Sequence, residues 1–154
     1  NLLYGLHEAI AMLNEEGLDQ VFARHMRHAH ATRLAVQAWG LEVLCLNPAE
    51  YSPALTAILV PPGCSADELR AVALRNFNIS LGQGLGKVAG KVFRIGHLGD
   101  FNDLTLIGTL GGVEMSLRLA GIGTPGRGVD AAMDYLAATA PYPASGAHAG
   151  TRAA

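Results

Sequence analysis

Apolar residues at helical spacing open the chain. Leu2, Leu3, Leu6, Ile10 and Leu13 share one face and predict a helix from Leu2 to Glu16, broken at Gly17. A longer helix is predicted from Leu18 to about Trp39, with Leu18, Val21, Phe22, Met26, Ala29 and Leu34 in its stripe and Gly40 as its stop. The pattern then changes. Leu41 to Leu46 and Ala54 to Val60 are short apolar runs, and the segment from Asn47 to Pro53 separates them. They predict two strands of a hairpin with a longer loop. Pro61-Pro62-Gly63 stops the second strand. Ser65-x-x-Glu68 is a capping box that opens a helix to about Asn76, turning Leu69, Val72 and Leu74 inward. Ile79 to Leu81 reads as a short strand, Gly82 to Gly90 as a glycine-rich loop, and Val92 to Gly96 as another strand.

Asp100 or Asn102 caps a helix reaching about Ala120. Its predicted stripe is Leu104, Ile107, Leu110, Val113 and Leu117. Gly108, Gly111 and Gly112 lie inside it. Each costs about 1 kcal/mol relative to alanine, so close backbone packing is expected there. Gly121 to Gly128 is a break, and Val129 to Ala138 is a last short helix. The order of elements predicts an α+β fold: a small, mainly antiparallel sheet of about four strands with helices on one face. Residues 1–139 form the domain. Residues 140–154 are Ala/Gly/Pro-rich and are expected to be a flexible tail.

Composition narrows the function. With 154 residues, 50% hydrophobic and 16% charged, the chain is one globular domain and not a disordered one. A net charge of −2 without a basic block argues against nucleic acid as a partner. No apolar run reaches membrane-spanning length and no signal peptide opens the chain, so no membrane association is expected. Two cysteines are too few for a disulfide scaffold. Cys45 reads as a small buried hydrophobe and Cys64 sits in a turn, which fits a reduced, cytoplasmic setting. The chain starts at Asn1 and not at methionine, so it is expected to be cut from something longer or processed. High apolar content with little charge suggests surface meant for a partner.

Candidate chemistry is sparse. His25, His28 and His30 crowd one stretch, but no cysteine or carboxylate completes a zinc set, and a solvated helix face is expected. Gly84-Leu-Gly86-Lys87 resembles part of a phosphate loop. Leu81 and Val88 stand where that motif needs glycine and Ser/Thr, so its glycines are read as letting a loop turn tightly past something bulky. Arg94 is the sharpest residue. It interrupts the apolar strand Val92-Phe93-Arg94-Ile95, facing away from Phe93 and Ile95 with no obvious intrachain partner. Its planar fork matches a carboxylate bidentately, although a structural ion pair or an edge-exposed arginine would also fit. His97 is read as structural or supporting. The only lysines, Lys87 and Lys91, lie in or beside the glycine loop. No catalytic set is evident in this segment.

The run from Gly90 to Asn102 (GKVFRIGHLGDFN), preceded by Gly82-x-Gly84-Leu-Gly86, resembles the class V pyridoxal-phosphate aminotransferases. The branch is that of the serine–glyoxylate and alanine–glyoxylate enzymes. The segments from Gly108 to Ser116, from Val129 to Leu136 and from Asn1 to Glu8 resemble it too, so the likeness reaches from residue 1 to about 138. It implies the small C-terminal domain of a fold type I enzyme. It also implies a missing N-terminal large domain, where the Schiff-base lysine and the pyridoxal-phosphate ligands lie, and a homodimer partner. The family's activity would be transfer of an amino group from serine or alanine to glyoxylate. Arg94 stands where the family's arginine binds the substrate carboxylate. The resemblance implies no catalytic and no cofactor-binding residue within this segment. The chain alone is therefore expected to be inactive and free of pyridoxal phosphate. Leu2, Leu3 and Leu6 are expected to pack against the absent domain and a second subunit. The competing reading is an autonomous, non-catalytic α+β binding or interaction module.

Overall fold

The structure, a computed structural model, describes residues 1–140. Helices α1 (Leu2–Glu16) and α2 (Leu18–Ala38) meet at Gly17. Its φ of 83° is a conformation that side-chain-bearing residues rarely adopt. Strands β1 (Glu42–Val43) and β2 (Leu55–Leu59) follow, then α3 (Ala66–Phe77), β3 (Gly82–Gln83), β4 (Val92–Gly96), α4 (Asp103–Leu119) and α5 (Gly128–Ala138). The strands form one antiparallel sheet in the order β1-β2-β4-β3.

One face of this sheet builds the core. Ile58 of β2 pairs across from Phe93 of β4, and both are fully buried with Ile95. They join Ala35 and Trp39, Leu69 and Ala73 of α3, Leu106, Leu110 and Leu117 of α4, and Leu136 of α5 in a single cluster. All helical packing onto the core therefore comes from one side, as expected for the α+β architecture. On the opposite face Leu55, Ala57, Leu59 and Arg94 remain only half-buried, while Val92 at the start of β4 is covered. Alternation along β4 thus places Arg94 outside the core.

The local signals act where they were read, with some shifts. Ser65 accepts from the Glu68 amide at 3.2 Å, but Glu68 turns to Arg75 instead of reaching back. Asn102, not Asp100, caps α4 by accepting from the Thr105 amide at 2.9 Å. The first predicted strand shrinks to Glu42–Val43, because Asn47 caps a short 3-10 turn at Pro48–Glu50 and ends the pairing. Ile79–Leu81 is not a strand. Asn78 adopts a left-handed φ of 55°, and the Ile79 amide returns to Ala73 O at 3.2 Å, so Ile79 closes α3 and pairing starts at Gly82. Cys45 is half-buried at the sheet margin, not sealed in the core.

The buried stripes are also displaced. In α2, Leu18, Phe22 and Met26 are exposed, while Ala29, Ala31, Ala35 and Val36 are buried. In α4, Leu106 replaces Leu104 on the buried face. In α3 it is Ala73, not Leu74, that is buried. Close packing explains only Gly112, where a Cβ would collide with Ile79 Cδ1; Gly108 and Gly111 face open space. The expected flexible tail lies outside the described residues from 141 onward. Among the described residues no helix is long and apolar enough to cross a membrane.

Candidate functional site

The site is built on β4. Arg94 sits in its middle, paired across from Ala57 of β2 on one side and Gly82 of β3 on the other. Directly paired residues point to the same face, so the arginine emerges between the two smallest side chains available. It makes no ion pair and no hydrogen bond among the described residues. Its Nε is buried and unpartnered. A buried donor left open costs free energy, of order 1–3 kcal/mol, so the side chain is held here at a cost.

The glycine loop does pass something bulky. At Gly82 that object is Arg94 itself: an added Cβ would lie 2.9 Å from Arg94 Nε and 3.0 Å from its Cβ. Gly84 is needed for a different reason, since a Cβ there would strike the Val88 carbonyl. Its amide donates to Val92 O at 2.9 Å, folding the loop back on β4.

The segment that follows β4 is held tightly. His97 is fully buried. Its Nδ1 faces the Pro53 carbonyl at 3.1 Å and so must donate; Nε2, 3.0 Å from Thr56 Oγ1, then accepts from that hydroxyl. Both contacts suit a neutral ring, and burial pushes its pKa down to about 4. This fits the supporting role expected for it.

The three histidines of α2 are not a solvated face. His25 Nδ1 donates to Val21 O at 2.7 Å, leaving Nε2 to accept the Gly99 amide at 3.1 Å. Arg24 donates to Gly99 O and Phe101 O while its other nitrogens bind Glu16. His28 is buried, with Nε2 on Asp103 Oδ1 at 2.9 Å and its ring edge against Phe101. Arg27 grips the same carboxylate bidentately at 2.6 and 2.8 Å. That hydrogen-bonded guanidinium, with help from His28, holds the Asp103 carboxyl below its ordinary range. Only His30 stays outside, exposed against Tyr135. Sequence reasoning missed this brace because its partners are about 75 residues away. The available signal was polar residues on the positions that face the core.

Among the described residues no group of three His, Cys, Asp or Glu is placed to hold a metal. A covalently held pyridoxal phosphate needs a sheltered lysine. Lys87 and Lys91, the only lysines, are both exposed. The residues present therefore do not fit that cofactor by themselves.

No family model matches the chain. It is similar to the serine–glyoxylate aminotransferase of Methylorubrum extorquens, at 52% identity over 136 residues, covering 88% of this chain and 34% of that protein. The serine–glyoxylate aminotransferase of Arabidopsis thaliana is 51% identical over 138 residues, with the same two coverages. The ureidoglycine–glyoxylate aminotransferase of Bacillus subtilis superimposes with a TM-score of 0.82 at 30% identity, over 88% of this chain and 35% of that one. The chain thus spans about a third of the length of its relatives. By sequence and by fold, the chain matches the C-terminal small domain of the class V pyridoxal-phosphate aminotransferases.

Proposed function

We propose that this chain is the substrate-clamping domain of a pyridoxal-phosphate-dependent glyoxylate aminotransferase, and that Arg94 binds the carboxylate of donor and acceptor. One observation carries the reading. The Arg94 guanidinium stands on the open face of β4, with a buried Nε and no partner of its own. A planar fork without a partner is suited to a bidentate carboxylate. The three relatives described above all carry glyoxylate in their names, and glyoxylate is a 2-oxo acid with one carboxylate. An amino-acid donor, serine or alanine, presents the same group. One arginine therefore serves both halves of the exchange by orientation and charge pairing.

The cofactor's electron-sink chemistry belongs in the part of the relatives that this chain does not span. That part is the large domain, with a second subunit beside it. No step is assigned to Lys87 or Lys91, and the 154-residue chain alone is expected to neither bind pyridoxal phosphate nor transaminate. The large domain also supplies a surface for the apolar face of α1, where Leu2, Leu3 and Leu6 are open.

The test is Arg94→Ala in the full-length enzyme. Removing one partner of a desolvated charge pair costs about 2–5 kcal/mol, so kcat/KM is expected to fall for both donor and glyoxylate. Arg94→Lys keeps the charge but loses the fork, and is expected to recover only part of the loss. Unchanged kcat/KM for both substrates in Arg94→Ala would sink the assignment.

A further inference from the structure

We infer that Gly82 is a positioning residue for Arg94, and that its bare Cα makes the arginine present its two terminal nitrogens end-on to a carboxylate. The inference rests on the reading of Arg94 as the carboxylate ligand. It concerns how that ligand is aimed.

A flexible side chain with four rotatable bonds does not make a precise clamp unless its neighbours restrict it. The cross-strand positions beside Arg94 do this. Ala57 and Gly82 flank it on the same face of the sheet. The Gly82 side is the closer one. A methyl group there would stand 2.9 Å from Nε, 3.0 Å from Cβ and 3.4 Å from Cζ of Arg94. Three positions along the side chain, from its root to its head, thus lie against the Gly82 backbone. Swinging only the tip away would not relieve the collision, because Cβ is fixed by β4.

This contact also explains the state of the guanidinium. Of its three nitrogens, only Nε is both buried and unpartnered. Nη1 and Nη2 are the pair left to meet a ligand. A carboxylate approaching a guanidinium can use the Nε–Nη edge or the Nη–Nη edge. Packing on Gly82 closes the first and leaves the second. Gly82 does not need glycine for backbone reasons, since its φ lies outside the left-handed region that Gly86 and Gly90 occupy. The three atoms nearest its missing Cβ all belong to Arg94. The absent side chain therefore makes room first of all for Arg94.

The experiment is a double-mutant cycle in the full-length enzyme, with Gly82→Ala, Arg94→Ala and the pair. Steady-state KM and kcat are measured for donor and for glyoxylate, with a thermal midpoint for each protein. Gly82→Ala is expected to raise KM for both carboxylate substrates by about 10-fold or more, with a smaller change in kcat and little change in midpoint. In the Arg94→Ala background the same substitution is expected to add nothing. If Arg94→Ala impairs both substrates and Gly82→Ala impairs neither, the positioning role is wrong while Arg94 stays the ligand. Equal effects of Gly82→Ala in both backgrounds also overturn it. If Arg94→Ala impairs neither substrate, the reading beneath it fails first. Should Gly82→Ala not fold, folding of a Gly82→Ala/Arg94→Gly variant, which also removes the Cβ at 3.0 Å, would identify Arg94 as the group it strikes; failure of both to fold would overturn the inference.

Discussion

His97 shows how one buried group couples this domain to pH. Its ring is buried with Nδ1 on the Pro53 carbonyl and Nε2 on the Thr56 hydroxyl, an arrangement that satisfies the neutral form. Burial holds its pKa near 4, against about 6.5 for an exposed histidine. The unfolded chain therefore binds a proton more readily than the folded one between those two values. Stability from this residue is complete above pH 6.5 and is lost as pH falls toward 4, by about 3 kcal/mol in all. Burial also lowers His28, which acts in the same direction. The contribution of His97 is isolated by comparison with His97→Asn. Denaturation midpoints of the wild-type chain are expected to drop steeply from pH 6.5 to 4. Those of the variant should start lower and decline less. Parallel curves would mean that His97 does not titrate on unfolding. At this scale Arg94 was legible because alternation along four residues fixes its face. Gly82 was not, because its neighbour across the sheet depends on a register the sequence does not display.

The elements were legible for a physical reason: their ends are local events. Gly17, Gly40, Ser65 and Asn102 act on the backbone within a few residues, and each ends or caps a helix where the sequence places it. Their faces were less legible, because burial depends on the neighbour as well as on the helix. In α4 the buried face follows Leu106, Leu110, Val113 and Leu117, which leaves Leu104 open. The three glycines of this helix give a direct test of that face. Gly112 is sealed against Ile79 of the α3 terminus, so Gly112→Ala is expected to destabilise by about 1–3 kcal/mol through overpacking. Gly108 and Gly111 have nothing within 4 Å of an added Cβ. Gly108→Ala and Gly111→Ala are each expected to stabilise by about 0.5–1 kcal/mol, because alanine restricts the unfolded chain and favours helix. Urea midpoints of the three variants decide the matter. A loss of stability at Gly108 or Gly111, or none at Gly112, would show that α4 packs through another face.

For the molecule as a whole, the informative feature is a helix that belongs to the chain but not to its core. α1 has 15 residues and buries none of them. Leu2, Leu3 and Tyr4 are 92, 79 and 82% exposed, and Ile10 and Leu13 are open as well. Isolated helices of about 12–15 residues are marginal in water, since tertiary burial supplies most helical stability. What ties α1 down at its far end is the Glu16 carboxylate on Arg24, an exposed pair worth about 1 kcal/mol at most. The rest of the domain stands on a different footing: Phe93, Ile95 and Val113 are fully buried in one cluster. The two parts should therefore open independently when the 154-residue chain is studied alone. Hydrogen exchange is expected to show amides from Leu6 to Leu13 exchanging near the unprotected rate, while those of Phe93, Ile95 and Val113 require global unfolding. If a large domain covers the apolar face of α1 in the full-length protein, as proposed above, the same amides should become protected there. Equal protection of α1 and α2 in the isolated chain would mean that α1 is stabilised within this segment. Fast exchange of α1 in the full-length enzyme would mean that its apolar face is not where the large domain docks.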